Sequence, residues 1–355
     1  VPTVPFQLPL SKTYYGLEEM KSGELDFLKA TALGKSDAPV FLCSDMPMDD
    51  MAKDRDFTKK YMFGLAVLLK KGLHLNVVHN LDRPFHELML GLEGWIPLYM
   101  TGQITPCYLK GVQNNVYCHF LNASGSAALS GECIAGAHER GRYELTKGGE
   151  ALRYYQERAD AIREKAFPLM DIYREKQAAA FHAFQLADAQ KPGPRRRVLS
   201  APPLGTLREE TLRAILSSHG LPAAEQQHLL EHASAQRTHM EQILAHSSIT
   251  DSFPTLTREE FARCTPALPL STLFFPKDIR YTYEEYCFHM EQTNEYARAH
   301  PGYSLRPCDT DFHNISISVH EGRWAMISKS NAPAIHFIIR YSKLRSAIET
   351  FAGET

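Results

Sequence analysis

Four polar residues follow one short apolar segment and mark the first place to look for a site. Residues 73–78 come after a Lys-Lys-Gly break and are typical of a central strand in an α/β sheet. The polar residues directly beyond them are His79, Asn80, Asp82 and Arg83. Because ligands of open α/β sheets bind at the carboxyl ends of the strands, these side chains indicate a pocket for a small ligand. Asn, Asp and the following Pro84 are also ordinary turn and cap residues, so a purely structural role stays open.

Further candidates for the same pocket lie later in the chain. His119 falls in a predicted strand at 117–121, and we expect it to join His79, Asp82 and Arg83 in hydrogen bonding and charge pairing to a small ligand. Asn122 opens a turn of small residues whose backbone amides can bind an anion. Trp95 and Tyr99 can stack on a ligand, although core packing is the ordinary role of such side chains.

Two polar residues near the C-terminus give a second candidate. Lys329 and His336 flank the turn at 330–333, which predicts an anion-binding edge, while the alternative is that they are simply exposed strand residues. A stripe of histidines lies within roughly 40° on one predicted helix, since each residue turns about 100°. Its members are His228, His232, His239 and His246. Metal binding there needs remote ligands, and a pH-responsive edge or a solvated border are the alternatives.

The elements that must position these residues follow from apolar periodicity. The predicted strands are 40–44, 73–78, 117–121, 127–134, 304–307, 314–320, 323–328 and 334–340. The predicted helices are 17–33, 57–69, 84–99, 149–186 with a bend at Pro168, 207–219, 223–246, 283–300 and 343–351. This order predicts an α/β fold in which mixed sheet layers are flanked by helices.

Residues 191–205 contain four prolines and two glycines and predict an exposed connection between two halves. The first α/β half is therefore expected at 1–190, and the second, with a helical insertion, at 206–355. The halves echo each other weakly, with 73–78 matching 304–307 and 117–134 matching 314–340. We expect two pseudo-repeated halves.

Composition excludes several classes of protein. The 355 residues carry a net charge of −2, so the chain has no basic field of the kind that binds nucleic acid. Seven scattered cysteines indicate reduced thiols in the cytoplasm. No segment predicts a membrane span or an export signal. No phosphate-binding loop, nucleophile elbow or zinc-spaced cysteine cluster is present, so we predict no cofactor and no metal.

Two stretches resemble a known family. The runs HNLDRPFHELMLGLEGWIPLYMTGQITPCYL and SISVHEGRWAMISKSNAPAIHFIIRYSKLRSAIETF resemble the C-terminal region of bacterial transcriptional regulators that carry an N-terminal helix-turn-helix domain. The resemblance implies a cytoplasmic region that serves ligand sensing or dimerisation. It also implies a homodimer that responds to an unknown small-molecule effector. DNA would be bound only through a domain upstream of Val1, and the absence of an initial Met is consistent with that expectation.

The order of elements also looks like the tandem halves of phospholipase D-like domains. The active members need His-x-Lys in each half, but here Phe120 and Leu121 follow His119, and Glu321 and Gly322 follow His320. The resemblance thus implies a cleft that binds a ligand without turning it over. Two alternatives stay open: a hydrolytic enzyme that uses histidine as general acid or base, and a non-catalytic interaction module.

Overall fold

The computed structural model describes residues 11–46, 54–81, 95, 97–110, 116–308 and 314–354. The chain divides into two compact units, Val1–Leu169 and Met170–Thr355. Each unit contains one mixed sheet with flanking helices, which confirms the predicted α/β class. Among the described residues, no helix is long and apolar enough to cross a membrane.

The first unit has an eight-stranded sheet in the order β1-β7-β6-β5-β2-β3-β4-β8. Its strands are β1 (Ser11–Tyr15), β2 (Val40–Ser44), β3 (Leu75–His79), β4 (Ile104–Tyr108), β5 (Tyr117–Ala123), β6 (Ala128–Ile134), β7 (Arg142–Thr146) and β8 (Phe167–Pro168). Its described helices are α1 (Gly16–Leu33), α2 (Arg55–Lys70) and α3 (Gly149–Lys165). Helix α3 packs on one face of the sheet through Leu152 and Ala159.

The second unit has a seven-stranded sheet in the order β12-β11-β10-β13-β14-β15-β9. Its strands are β9 (Asp171–Tyr173), β10 (Arg195–Val198), β11 (Ile249–Phe253), β12 (Tyr303–Pro307), β13 (Ile315–His320), β14 (Trp324–Lys329) and β15 (Ile335–Ile339). Its described helices are α4 (Ala178–Ala189), α5 (Glu209–Ser218), α6 (Ala223–Leu244), α7 (Arg258–Arg263), α8 (Tyr283–Ala299) and α9 (Ser342–Glu354).

The two sheets repeat the same topology. In each, three neighbouring parallel strands are followed along the chain by three antiparallel strands. In the first sheet these are β2, β3 and β4, then β5, β6 and β7. In the second sheet they are β10, β11 and β12, then β13, β14 and β15. The strand that begins each unit, β1 or β9, pairs antiparallel with the last of them. The predicted repeat is therefore present, but its correspondence is different: β3 matches β11, and residues 303–307 match β4.

Local signals in the sequence explain where several helices begin. Asp54 accepts a hydrogen bond from the amide of Phe57 and caps α2. Thr282 and Glu285 form a reciprocal capping box at the start of α8. Gly322, with φ of +73°, makes the predicted tight turn between β13 and β14 possible, because a side chain rarely adopts that conformation.

Two predicted features differ from the structure. The division between units falls after Leu169 rather than at 191–205, where Arg195–Val198 instead form β10 inside the second sheet. The predicted helix at 149–186 is two helices, with Pro168 in a short strand between them, because proline cannot donate the helical hydrogen bond. Most of the predicted helix at 84–99 lies outside the described residues.

Candidate functional site

The first unit brings three of the predicted site residues together. Tyr99 and Nε2 of His79 share a hydrogen bond of 2.5 Å, and the Trp95 ring meets His79 edge-on at 5.6 Å between centroids. Trp95 also stacks on Tyr99 at 6.0 Å. His79 is the last residue of β3, so the cluster lies at the carboxyl edge of the parallel strands. Asp82 and Arg83 lie outside the described residues.

His119 does not join that cluster. The register pairs Ser44 with both His79 and Phe120, and because side chains alternate along a strand, His119 points to the opposite face of the sheet from Phe120. Its Nδ1 lies 3.5 Å from a carboxylate oxygen of Asp45, and its side chain is half exposed. Asn122 is the buried next-to-last residue of β5, rather than the start of a turn. Of the expected pocket, His79 and His119 thus point to opposite faces of the sheet.

In the second unit, Lys329 and His336 also take separate places. Lys329 and Ser328 are neighbours in β14, so the side chain of Lys329 points to the opposite face of the sheet from that of Ser328. His336 is fully buried, stacked on Phe181 at 4.2 Å, and burial lowers its pKa to about 4. Its Nε2 must donate to the carbonyl of Ser271 at 3.0 Å, so in the neutral ring Nδ1 accepts from the Ser328 hydroxyl at 2.7 Å.

Ser328 lines a cavity of about 140 Å³ in the second unit, between one face of the sheet and helices α4 and α6. Seven of the side chains that line it carry hydroxyls: Ser200, Ser271, Thr272, Ser316, Ser318, Ser328 and Ser330. Trp324 and Phe184 contribute aromatic surface, and Arg197 and His239 contribute nitrogen. Hydroxyls both donate and accept, so such a lining suits a ligand that does the same.

Arg197 is held in the cavity wall by Asp251. Its Nε and Nη2 each donate to one carboxylate oxygen, both at 2.6 Å, and the hydroxyl of Tyr303 donates to Asp251 at 2.6 Å. Burial opposes the charge of Arg197, but the carboxylate outweighs burial and raises its pKa. Among the described residues, none accepts a hydrogen bond from Nη1 of Arg197, which leaves that group to a ligand.

A second buried network flanks the cavity. Asp188 accepts hydrogen bonds from Nη2 of Arg195 at 3.0 Å, from the Trp324 indole at 2.8 Å and from Nδ1 of His320 at 2.8 Å. His239, on α6, has its pKa lowered to about 4 by burial and then by Arg197. The cavity therefore contains two buried ion pairs, Arg197 with Asp251 and Arg195 with Asp188, beside the imidazole of His239.

The repeated topology provides an internal comparison for this polar row. In the second unit Arg197 pairs with Asp251 on one side and Ser318 on the other. The equivalent row of the first unit is Leu42 between Val77 and Asn122. The fold thus forms with aliphatic residues where the second unit has an ion pair. Since burying charge is expensive, the pair is not explained by the fold alone.

The sequence contained a signal for these residues. The alternation of serines at 316 and 318 with Ile315, Ile317 and Val319 predicts one polar face of a strand, and it continues to His320. The strand β10 was missed because the run of three arginines at 195–197 follows Pro and Gly and is typical of a solvated loop. Only the opposing Asp188 and Asp251 make its burial possible.

Comparisons with known proteins give distant structural likeness only. No protein family model matches the chain, and no curated protein matches it. The archaeal chromatin protein TrmBL2, described with a novel mode of DNA binding, matches 44% of this chain at 10% identity and a TM-score of 0.32. Polyphosphate kinase from Porphyromonas gingivalis matches 97% of this chain at 9% identity and a TM-score of 0.30. The chain spans about half the length of each, 54% and 50%.

Proposed function

We propose that the second unit binds a small, neutral, polyhydroxylated molecule, of the class of a polyol or monosaccharide, in the cavity beside Arg197. The observation that carries this proposal is the replacement of the aliphatic pair Leu42 and Val77 of the first unit by Arg197 and Asp251 in the second. The hydroxyl-rich wall offers both donors and acceptors, and the compensated charges favour a neutral ligand over an anion.

We further propose that binding serves sensing, in which the chain is the ligand-sensing region of a transcriptional regulator. This part rests on the sequence resemblance to helix-turn-helix regulators, and the DNA contacts would come from a segment other than this one. The natural full-length protein should then change its DNA affinity when the ligand is added. A homodimer remains a prediction of the same resemblance.

Binding is tested by calorimetry on the chain with a panel of neutral polyols and monosaccharides, using their phosphorylated analogues as the charged comparison. We expect a neutral compound to bind at one site per chain and Ser318→Ala to weaken it. Binding confined to phosphorylated compounds, or binding that Ser318→Ala and Arg197→Leu leave unchanged, contradicts the proposal.

One observation favours a hydrolase as the second candidate. The Ser328 hydroxyl and the His336 imidazole form a nucleophile and base pair at 2.7 Å, with Ser271 fixing the other ring nitrogen. Against it, a histidine whose pKa is about 4 accepts a proton poorly at neutral pH. Labelling of Ser328 by a fluorophosphonate, lost in His336→Phe, would favour the hydrolase. An unlabelled protein that binds the polyol favours the sensor.

A further inference from the structure

Two cysteines face each other across the first sheet. Cys118 on β5 lies directly opposite Cys133 on β6, and both side chains are buried. A short 3-10 turn, His138–Arg140, follows β6 and places the buried His138 beside them. The two Sγ atoms and a ring nitrogen of His138 all lie within 4.8 Å of one another. This cluster is separate from the cavity of the second unit.

The backbone fixes the three groups. The antiparallel register between β5 and β6 sets the two sulfur atoms on one face. Gly136, with φ of +78°, turns the chain after β6, a conformation that L side chains rarely adopt, and the amide of Ala137 then donates to the carbonyl of Ile134. A fourth soft donor is adjacent, because the thioether of Met46 lies 3.6 Å from Sγ of Cys133.

These donors suit one kind of ligand. Two thiolates and an imidazole are the ligands that Zn²⁺ takes in proteins, and thiolate with thioether is the set that selects Cu⁺. Bond lengths of about 2.3 Å to sulfur and about 2.0 Å to nitrogen place tetrahedral donor atoms roughly 3.5–3.8 Å apart. The observed separations, at most 4.8 Å, therefore require a closure of up to about 1.3 Å, within the reach of side-chain rotation.

We propose that Cys118, Cys133 and His138 bind a single thiophilic metal ion, Zn²⁺ or Cu⁺. On binding, each thiol releases one proton and forms one sulfur–metal bond, while the neutral imidazole donates a lone pair without losing its other proton. The ion is structural, since it ties the turn after β6 to the face of the sheet. The inference is independent of the polyol proposal, as the two sites share no residue.

The experiment uses the whole chain, stripped of metal and kept reduced, and titrated with Zn²⁺ or Cu⁺ against a chromophoric chelator for each ion. We expect one ion per chain and, by native mass spectrometry of the zinc form, a mass gain of one zinc less two protons. Cys118→Ser and Cys133→Ser should abolish binding, whereas Cys287→Ser, which alters an exposed thiol, should leave it unchanged. The protein should take one of the two ions from its chelator, and the ion that it takes distinguishes zinc from copper.

A milder variant keeps the test valid if a serine variant does not fold. His138→Gln replaces one side chain of the 3-10 turn and leaves both cysteine sulfur atoms in place. We expect it to bind metal about 10–100-fold more weakly, while its metal-free thermal midpoint stays near that of the parent. A dissociation constant above about 10 µM for both ions overturns the proposal. So does binding that survives the change of both cysteines, or an affinity that His138→Gln leaves unchanged.

Discussion

Arg197 and Asp251 lie side by side on parallel strands and share two hydrogen bonds of 2.6 Å inside the second unit. The same two positions of the first unit are Leu42 and Val77, both nearly fully buried. One topology therefore accepts either an aliphatic or an ionic pair at this row. Arg197 of the ionic pair lines a cavity of the second unit, which is why we connect the pair to ligand binding.

Breaking the pair on one side should destabilise the protein strongly. Asp251→Val leaves Arg197 and the Tyr303 hydroxyl buried without their acceptor, and we expect the free energy of unfolding to fall by about 3–5 kcal/mol. Chemical denaturation of the variant measures this loss. Ser304→Ala, on the neighbouring strand and away from the cavity, is the matched control and should cost less than about 1 kcal/mol.

Copying the row of the first unit should restore that stability. The variant Arg197→Leu with Asp251→Val and Tyr303→Phe removes all three buried polar groups together. We expect its unfolding free energy to return to within about 2 kcal/mol of the parent, because a buried ion pair and its aliphatic substitute are often close in stability. A triple variant no more stable than Asp251→Val alone would show that the pair is needed by the fold.

The cavity hydroxyls should contribute to affinity and little to stability. Ser318→Ala and Ser200→Ala each remove one hydroxyl from the wall, and we expect each to weaken polyol binding by up to about tenfold, since one hydrogen bond contributes about 1.5 kcal/mol or less. Calorimetry gives the affinities, and a thermal melt checks the fold. An unchanged affinity in both variants would place the ligand elsewhere.

Sequence reasoning recovered what depends on local patterns and missed what depends on partners. The helix at Gly16–Leu33 and the strands Val40–Ser44 and Ile315–His320 follow from periodicity and turn residues, and they were predicted closely. Strand β10 was not predicted, because its arginines fit the interior only by pairing with Asp188 and Asp251. Those two partners are distant in sequence or lie on another element. Long-range register likewise decides that His79 and His119 point to opposite faces.

Acid should destabilise the protein through its buried histidines. Burial lowers the pKa of His336 to about 4 and that of His289 to about 3, below the ordinary 6.5. Both side chains are neutral in the folded protein and gain a proton more readily when unfolded, so their contribution is complete above pH 6.5 and is lost as the pH falls towards 4 and 3. For His336 the loss is about 3 kcal/mol.

Urea unfolding at a series of pH values measures that loss, and His336→Phe provides the comparison. The Phe variant should show a shallower decline between pH 6.5 and 4 than the parent. Identical slopes would mean that the pKa of His336 is the same in the folded and the unfolded protein.

Glu24 should act in the opposite direction at higher pH. This carboxyl group of α1 is buried, its Oε2 has no hydrogen-bond partner among the described residues, and burial raises its pKa to about 8. The folded protein holds the proton more tightly than the unfolded one, so the contribution is complete below pH 4.5 and is lost as the pH rises through 8. Glu24→Gln should therefore stabilise the protein at pH 8.5 by a few kcal/mol, and a thermal melt at pH 5 and 8.5 tests the difference.

The residues of the first unit should not affect polyol binding. His79→Ala breaks the hydrogen bond to Tyr99, and His119→Ala removes the contact with Asp45. Neither side chain lines the cavity of the second unit, so we expect the affinity to change by less than about twofold while stability falls by about 1 kcal/mol for His79→Ala. A tenfold loss of affinity in either variant would favour the pocket predicted at the end of β3.

The most direct test is calorimetric titration of the parent and of the variant Arg197→Leu with Asp251→Val and Tyr303→Phe, using the tightest neutral polyol or monosaccharide of the panel. We expect one site in the parent and no measurable binding in a variant that still unfolds cooperatively. Equal affinity in the two proteins, or no binding of any neutral compound by the parent, would contradict the assignment of this cavity as the ligand site.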